Sequence, residues 1–332
     1  MVIDLDSVPR LRLNFLPTPL VELARLGSAL GGPRIFMKRD DLTGLGLGGN
    51  KTRKLEFLLG DALAQGCDCV VTGGAMQSNH CRQTAAACAA SGLECHLALG
   101  GERPPAPSGT LLLDYLFGAH VHWCGGETKG ERIPSIAGEL RAIGRRPYVI
   151  PFGGSNAVGA LGFVAAIAEI ERQFLDMNVP ARRIVIPSSS GGTHAGMAVG
   201  VDLHDMPVEV IGIGIDRDSP GEPPYEEELA GAANAVAALL GTEARYSPAD
   251  FHMRYGYLGG GYAVVGELER EAIRLVASTE GILLDPVYSG RAMGALIDMI
   301  RSGELSRSDP VVFWHTGGIP AIFEHERELG PA

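Results

Sequence analysis

The chain is poor in basic residues and holds no basic cluster. Its 332 residues include 28 lysines and arginines against 39 aspartates and glutamates, which gives a formal net charge of −11. Nowhere do several lysines or arginines alternate with aromatic residues, so the electrostatic signature of a nucleic-acid-binding protein is missing. We therefore expect no nucleic-acid partner.

Long apolar runs are missing as well. The longest run of small and apolar residues, 157–168, contains two glycines and is shorter than the roughly 20 residues that a membrane-spanning helix needs. Residues 1–6 lack the basic and apolar regions of a secretion signal. The sequence therefore predicts a cytoplasmic protein that does not enter a membrane.

The six cysteines form no Cys-x-x-Cys pair and lie mostly in apolar segments, at residues 67, 69, 81, 88, 95 and 124. No cysteine or histidine pair at zinc-site spacing accompanies the thiols at 67 and 69, so we expect buried free thiols and no metal site. A hydrophobic content of 45% in a chain of this length is typical of an enzyme with a large core.

Strand and helix patterns alternate along the chain. Short apolar or β-branched runs predict strands at residues 35–37, 69–72, 96–99, 148–150, 184–186, 208–215 and 311–314. Amphipathic patterns predict helices at residues 54–65, 82–90, 159–174, 226–240 and 268–279. This alternation predicts an α/β protein whose parallel sheets are covered on both faces.

Ligands of α/β proteins bind where loops leave the carboxyl ends of strands. Three polar or glycine-rich loops follow predicted strands directly, at residues 73–79, 187–193 and 315–318. The Ser/Gly/Thr loop at 188–193 suits a phosphate, because glycines allow close approach and a helix start attracts anions. The same loop also fits an ordinary turn with a helix cap.

Lys51 follows Gly48-Gly49-Asn50 at the predicted start of a helix. A lysine that is partly desolvated near another cation loses its proton more readily, and the usual use of such an amine is a Schiff base with pyridoxal phosphate. Lys54, one turn later on the same helix face, supplies the second positive charge. A solvated helix start with two surface lysines fits these residues equally well.

Polar side chains at three further places are candidates. Gln77-Ser78-Asn79-His80 opens a predicted helix, where it could bind a carboxylate or a phenolate oxygen, or only cap the helix. Tyr262 follows three glycines, and Tyr288 follows the strand-like segment 282–287. Tyrosines at such positions are usually packing residues, and only proximity to the lysine loop would make them catalytic.

Residues 44–49 also fit the glycine pattern of a dinucleotide-binding loop. That fold needs an acidic residue at the carboxyl end of the next strand. Asp68 precedes that strand, and Gly73-Gly74 end it. A nicotinamide-dependent dehydrogenase is therefore a minor alternative.

Six motifs, taken in order, resemble those of the D-cysteine desulfhydrase and 1-aminocyclopropane-1-carboxylate (ACC) deaminase family. They lie at residues 38–44, 48–56, 77–80, 191–196, 284–288 and 315–318. These proteins are fold-type II pyridoxal-phosphate enzymes related to the tryptophan synthase β subunit. The resemblance extends from about Leu16 to Phe323 and implies a homodimer of two-domain subunits with open, twisted, mostly parallel sheets.

The resemblance also implies a division of the chain. Residues 1–46 with 164–332 would form a large cofactor-binding domain, and residues 47–163 a small one, with the active site in the cleft between them. Lys51 would bind pyridoxal 5'-phosphate as a Schiff base. The other residues implied to hold this cofactor are Asn50, Lys54, Asn79, Ser190, Gly191, Gly192, Thr193, Ser289 and Thr316.

Within that set, the resemblance assigns the phosphate to Lys54 and residues 190–193 and the phenolate oxygen to Asn79. Thr316 and Ser289 would face the pyridine nitrogen. The residues implied to bind the substrate carboxylate are Gln77, Ser78 and Asn79. The residues implied to be catalytic are Lys51, Ser78, Tyr262 and Tyr288.

The residue after Tyr288 separates the members of the family. ACC deaminases have glutamate there, whereas this chain reads Tyr288-Ser289-Gly290-Arg291, closer to the Tyr-Thr-Gly-Lys of D-cysteine desulfhydrases. The resemblance thus implies α,β-elimination of D-cysteine to pyruvate, hydrogen sulfide and ammonia, with Lys51 taking the Cα proton. L-cysteate sulfo-lyase or ACC deaminase activity, and a non-catalytic binding protein, are the alternatives.

Overall fold

A computed structural model describes residues 4–330. It contains two β-sheets with helices packed against them. The strands are β1 (Leu20–Glu22), β2 (Ile35–Arg39), β3 (Cys69–Gly74), β4 (Glu94–Leu99), β5 (His120–Trp123), β6 (Pro147–Val149), β7 (Arg183–Ser188), β8 (Glu209–Gly214), β9 (His252–Arg254) and β10 (Val311–His315). The helices are α1 (Ala24–Leu30), α2 (Lys51–Ala64), α3 (Asn79–Ser91), α4 (Gly109–Leu116), α5 (Ile133–Ala142), α6 (Ala157–Met177), α7 (Gly192–Leu203), α8 (Tyr225–Leu240), α9 (Glu267–Glu280), α10 (Ser289–Arg301) and α11 (Glu326–Leu329).

One sheet has six strands in the order β1-β2-β10-β7-β8-β9, and the other has four in the order β5-β4-β3-β6. All neighbouring strands run parallel except β1 and β2. The predicted α/β class is therefore confirmed. The seven runs predicted as strands all form strands, whereas the edge strands β1, β5 and β9 are too short to show a clear pattern.

The strand-like segment 282–287 forms no strand, so that interpretation was wrong. Its backbone is held by a side chain: the carboxylate of Asp285 accepts hydrogen bonds from the N–H groups of Val287, Tyr288 and Ser289. Because these backbone N–H groups already have acceptors, they do not require hydrogen bonds to a neighbouring strand. The segment therefore turns directly into α10, with Tyr288 at the turn.

Helix α6 brings the starts of α2 and α7 together, because glycines permit close packing. A Cβ at Gly162 of α6 would lie 2.2 Å from the carbonyl oxygen of Arg53 in α2. A Cβ at Gly196 of α7 would lie 2.3 Å from the carbonyl oxygen of Ala160 in α6. Any side chain at either position would force the helices apart. The lysines of α2 consequently lie beside the amino terminus of α7.

A buried charge network fixes the orientation of α2. The guanidinium of Arg53 donates to both carboxylate oxygens of Asp40 at 2.8 Å and to Glu169 of α6 at 2.9 Å. The same Asp40 accepts a hydrogen bond from the indole N–H of Trp314 in β10. Because the helix is tied to the large sheet and to α6, its first turn cannot rotate freely.

The four-stranded sheet is formed by residues 69–149, and the six-stranded sheet by strands outside that segment. The boundary expected at 163/164 falls inside the continuous helix α6. We propose that the second segment of the large domain begins at Ala157, so that α6 belongs entirely to that domain. Residues 1–3 and 331–332, which include part of the N-terminal segment 1–6, lie outside the described residues.

All six cysteines are free thiols, four of them buried, as the sequence predicted. Within residues 4–330 none of the helices combines the length and apolar character needed to cross a bilayer.

Candidate active site

A cleft lies between the two sheets, where the loops at the carboxyl ends of their strands meet. It encloses about 620 Å³, including its open mouth. Its walls come from the loop after β3, the loop after β7, the residue after β10 and the first residue of α2. The three loops that the sequence analysis singled out at strand ends therefore converge on one space.

Ten of the residues proposed for the site line this cleft. They are Asn50, Lys51, Ser78, Asn79, Ser190, Gly191, Thr193, Tyr262, Tyr288 and Thr316. Lys54 and Gly192 lie next to one another behind the lining, since a Cβ at Gly192 would be 2.9 Å from the amine of Lys54. Gln77 and Ser289 do not line the cleft.

Gln77 and Ser289 are engaged elsewhere. The amide oxygen of Gln77 accepts from the backbone N–H of Thr110 at 2.7 Å, at the start of α4. The hydroxyl of Ser289 donates to Asp285 at 2.6 Å and accepts from the backbone N–H of the same residue. Neither side chain points into the cleft. The structure therefore does not support a side-chain contact of Gln77 with the substrate or of Ser289 with the cofactor.

Two lysine amines share one acceptor. The amines of Lys51 and Lys54 donate to the carbonyl oxygen of Gly153 at 3.3 and 3.1 Å. Lys54 is fully buried, so the alternative of two solvated surface lysines is wrong. The α2 helix holds both amines on its cleft-facing side.

Burial lowers the pKa of Lys51 to about 8, although a hydrogen bond with Lys54 opposes the shift. Burial and the charge of Lys51 lower the pKa of Lys54 well below its ordinary value. With a pKa near 8, about a tenth of the Lys51 amine is unprotonated at pH 7, far more than for an exposed lysine. The Lys51 amine is thus available as a nucleophile or a base.

A hydroxyl and glycine cradle surrounds the amine of Lys54. Ser155 accepts a hydrogen bond from this amine at 3.1 Å and from the backbone N–H of Gly192 at 3.2 Å. Its hydroxyl also lies 2.9 Å from that of Ser190. Gly191, with a φ of 79°, turns the chain into α7. The positive end of α7 and a buried amine therefore face the same point, which suits a phosphate.

The residues present fit pyridoxal 5'-phosphate. Three buried polar atoms of the cleft lack a partner among the described residues: Oδ1 of Asn50, Nδ1 of His80 and Oγ1 of Thr316. No carboxylate of the described chain pairs with Lys51 or Lys54. Two amines without a carboxylate partner beside a helix start favour binding of an anion. The polar atoms without a partner favour a ring that carries polar substituents.

Asn79 is held in one orientation by its neighbours on α3. Its Oδ1 accepts from Arg82 and from Gln83, both at 2.5 Å, and its Nδ2 donates to the carbonyl oxygen of Thr316 at 3.3 Å. The amide oxygen is therefore turned away from the cleft and the N–H₂ toward it. In this orientation Asn79 is a donor, as a phenolate oxygen requires.

Arg82 also ties Asn79 to the loop before Lys51. This fully buried guanidinium donates to the carbonyl oxygens of Gly46 and Gly48. Burial lowers the pKa of Arg82 to about 10, which still leaves it charged at neutral pH. One side chain thus positions both a cleft donor and the loop that leads into α2.

We predict that Arg82→Lys lowers the affinity of the apoenzyme for pyridoxal phosphate by about tenfold, because one ammonium cannot satisfy three acceptors at these positions. Equilibrium titration of visible absorbance measures this affinity. The matched control is Arg291→Lys, since Arg291 is equally buried and bonds Glu269 and the carbonyls of Ile215, Gly261 and Val264, none of which is a proposed cofactor contact. An equal loss of affinity in both variants would show that the effect is general destabilisation.

The two predicted tyrosines meet at the cleft wall. Their hydroxyl groups are 2.5 Å apart, and the rings pack edge to face at 6.2 Å. Burial raises the pKa of Tyr262 to about 12 and that of Tyr288 well above its ordinary value. Both hydroxyls therefore keep their protons at neutral pH, and the pair has one proton left to donate to a third group.

Sequence reasoning missed the loop of Gly153 and Ser155, the positioning residue Arg82, and Asp285. The first of these could have been found, because Gly153-Gly154-Ser155 follows the predicted strand at 148–150, like the three loops that were selected. Arg82 begins a predicted helix and Asp285 lies in one of the six motifs, but neither position indicates its hydrogen-bond partners, which only the folded backbone brings together.

The comparisons with known proteins agree with this geometry. The chain matches the family model described as pyridoxal-phosphate dependent enzyme over residues 11–317. It is 44% identical to a D-cysteine desulfhydrase of Salmonella choleraesuis (strain SC-B67), over 97% of each chain. It is also 44% identical to a D-cysteine desulfhydrase of Klebsiella pneumoniae (strain 342), over 98% of this chain and 99% of that one.

Solved structures show the same similarity. A protein described as an ACC deaminase homologue superposes with a TM-score of 0.88 at 38% identity, covering 98% of this chain and 96% of that chain. An L-serine ammonia-lyase from Rhizomucor miehei reaches a TM-score of 0.68 at 19% identity, covering 96% of this chain and 98% of that chain. The second likeness shows the fold alone.

Proposed function

Because the chain belongs to the family of pyridoxal-phosphate-dependent enzymes, we propose that it converts D-cysteine to pyruvate, hydrogen sulfide and ammonia by α,β-elimination. The observation that carries this proposal is the convergence of a low-pKa lysine, a helix-start serine and a tyrosine pair on one cleft. The 44% identity to D-cysteine desulfhydrases over nearly the whole chain supports the choice of substrate.

Pyridoxal phosphate, when bound, supplies an electron sink that acidifies the Cα–H bond of the substrate amino acid. We assign its phosphate to Lys54, Ser190, Gly191, Gly192 and Thr193. Asn50, Asn79 and Thr316 would meet the polar atoms of its ring. The unpartnered atoms of Asn50 and Thr316 support this assignment.

The protein's own groups move the protons. The Lys51 amine is partly unprotonated near neutral pH, so it can accept the Cα proton. A proton donated to sulfur assists its departure from Cβ, and the tyrosine pair retains one at neutral pH. Aminoacrylate, once released, hydrolyses to pyruvate and ammonia.

Ser78 is placed to receive the substrate carboxylate. Its Oγ accepts the backbone N–H of Cys81 at 3.2 Å and so caps α3. The hydroxyl hydrogen remains available, and the positive end of the helix favours a carboxylate at the same point.

Replacement of Ser78 by alanine should raise the KM for D-cysteine by about tenfold or more while pyridoxal phosphate stays bound, because the loss of a hydrogen bond to a charged group weakens binding by about 1.5–3 kcal/mol. Steady-state kinetics and cofactor absorbance measure the two effects. Ser78→Thr keeps a hydroxyl cap and should restore most of the KM. Loss of cofactor from the alanine variant would instead place Ser78 in the cofactor site.

A panel of substrates tests the proposed function. Release of pyruvate should be fastest with D-cysteine when L-cysteine, L-cysteate and D-serine are offered in parallel. ACC, which yields 2-oxobutyrate in the deaminase reaction, should be a poor substrate, since Ser289 stands where ACC deaminases have glutamate and is bonded to Asp285. Faster turnover of L-cysteate or of ACC would contradict the proposal and favour L-cysteate sulfo-lyase or ACC deaminase activity. No turnover of any substrate in the panel would favour a non-catalytic binding protein.

We also propose a homodimer in the cytoplasm. Four large apolar side chains on the surface are more than 60% exposed and lie near the cleft loops or α4: Phe15, Leu47, Leu116 and Phe323. Exposed apolar residues favour a protein interface where they form a contiguous patch, and the resemblance to the D-cysteine desulfhydrase family supports a dimer. Free cysteines are typical of a reducing compartment. Sedimentation analysis of the full chain decides the oligomeric state.

A further inference from the structure

A buried tyrosine contacts the loop after β7 from the side away from the cleft. Tyr225 begins α8 and is 1% exposed. Its hydroxyl donates to the carbonyl oxygen of Ser189 at 2.7 Å and lies 3.2 Å from the hydroxyl of Ser188. Both serines line the cleft, whereas Tyr225 packs behind them in an apolar core cluster. The tyrosine therefore holds the loop from its core side.

The directions of these hydrogen bonds follow from the groups involved. A carbonyl oxygen can only accept, so the Tyr225 hydrogen goes to Ser189, and the Ser188 hydroxyl donates to the Tyr225 oxygen. Burial raises the pKa of Tyr225, so its hydroxyl keeps this hydrogen at neutral pH. The guanidinium of Arg217 lies 3.6 Å from the centre of the Tyr225 ring, and this cation–π contact favours one position of the ring.

The Tyr225 hydrogen bond also sets the direction of the next backbone N–H. The carbonyl of Ser189 and the N–H of Ser190 belong to one trans peptide unit, in which the two groups point in opposite directions. Because the carbonyl is directed at Tyr225, behind the loop, the N–H of Ser190 is directed toward the cleft. Within residues 4–330 this N–H donates to no backbone carbonyl, so it is available to a ligand.

The Ser190 N–H faces a point that already favours an anion. The hydroxyl of Ser190 lies 2.9 Å from that of Ser155, which accepts from the Lys54 amine at 3.1 Å. The N–H groups of a helix start and of the loop before it together form an anion site. Gly191 has a φ of 79° and Gly192 follows it, so the loop has little rigidity of its own. An anchor outside the loop therefore keeps the Ser190 N–H in place.

We propose that Tyr225 is a positioning residue for cofactor binding: its hydroxyl orients the 189–190 peptide so that the N–H of Ser190 donates to the phosphate of pyridoxal phosphate. Arg217 supports this role by holding the ring. The inference rests on the proposed assignment of the phosphate to residues 190–193. Tyr225 should therefore determine how tightly the phosphate is held and leave the chemistry at the Lys51 amine unchanged.

Comparison of pyridoxal phosphate with pyridoxal, which lacks the phosphate, tests this role. Each is titrated into the full chain freed of cofactor, and visible absorbance gives the two affinities. In Tyr225→Phe the affinity for pyridoxal phosphate should fall by about tenfold and that for pyridoxal by less than about twofold, because only hydrogen bonding to the phosphate is weakened. With pyridoxal phosphate saturating, kcat and KM for D-cysteine should stay within about twofold of the wild type.

The matched control is Tyr148→Phe. Tyr148 is 9% exposed, and its hydroxyl donates to Asp61 at 2.6 Å, ten residues after Lys51 on α2. This variant should leave the ratio of the two affinities unchanged. If Tyr225→Phe does not fold, Arg217→Met removes the cation over the ring from a half-buried position and should lower the same ratio by about threefold.

Gly192→Ala tests the phosphate assignment separately, because its Cβ would lie 2.9 Å from the Lys54 amine and obstruct the phosphate. If this variant lowers the ratio and Tyr225→Phe does not, the inference is overturned and the assignment stands. If neither variant lowers the ratio, the phosphate assignment fails as well. Equal losses for pyridoxal phosphate and pyridoxal in Tyr225→Phe would show a purely structural role and overturn the inference.

Discussion

Lys51→Ala should abolish the turnover of D-cysteine, with kcat/KM reduced by about 10⁴-fold or more, because the group that both captures the cofactor and accepts the Cα proton is removed. The visible absorbance of bound pyridoxal phosphate should be lost or shifted in the same variant. In the wild type, borohydride treatment should leave the mass of the cofactor on the peptide that carries Lys51.

The pH dependence of cofactor capture is a second measurement on Lys51. A pKa lowered to about 8 by burial means that the reactive neutral amine increases as the pH rises through 8. The rate at which apoenzyme captures pyridoxal phosphate should therefore rise between pH 7 and 9 and then level off. An exposed lysine would continue to gain reactivity up to about pH 10.4.

Lys51→Arg is the matched variant, since it keeps the charge and the length but offers no neutral amine. It should bind pyridoxal phosphate weakly through the phosphate cradle and remain inactive. Retained turnover in either variant, or cofactor mass on another lysine, would show that the assignment of Lys51 is wrong.

Replacing Tyr288 by phenylalanine is expected to lower kcat for D-cysteine by about 10²- to 10³-fold, because the departing sulfur loses its proton donor. Tyr262→Phe should have a smaller effect. The backbone N–H of Tyr288 donates to Asp285 at 2.9 Å, directly before α10, whereas Tyr262 lies on a glycine-rich loop and is 37% exposed. The donor that is the more firmly oriented by its own backbone contacts is expected to contribute more to catalysis.

Substrates with different leaving groups distinguish proton donation by Tyr288 from a purely structural role of this residue. Chloride leaves without a proton, so β-chloro-D-alanine should be processed by Tyr288→Phe at a rate within a few-fold of the wild type. A purely structural defect would lower the turnover rates of both substrates to the same extent. Equal losses for D-cysteine and β-chloro-D-alanine would therefore contradict the assignment of Tyr288 as the acid.

Much of the fold could be predicted from the sequence. The seven strand runs and the five helical patterns are local features, because each depends on the periodicity of neighbouring side chains. Their alternation was enough to predict parallel sheets and to direct attention to the loops at strand ends. The short edge strands β1, β5 and β9 were not predicted, because their three or four residues contain no clear apolar run.

The site was predicted less completely, and the errors have a common cause. Gln77 stands in a polar cluster with Ser78 and Asn79, yet its side chain bonds the backbone of Thr110, 33 residues away. Ser289 follows Tyr288, a candidate catalytic residue, yet its hydroxyl donates a hydrogen bond to Asp285. Adjacent residues in sequence therefore faced different surroundings, and no local pattern distinguishes them.

The sequence by itself determined the α/β class, the lysine at a helix start and the strand-end loops that surround it, because these follow from short-range periodicity and from motifs. The tertiary structure alone decided which amines are buried, which end of Asn79 faces the cleft and where the tyrosines meet. Those outcomes depend on contacts between segments far apart in the chain, such as Asn79 with Thr316, and a pKa or a hydrogen-bond direction follows only from the completed surroundings.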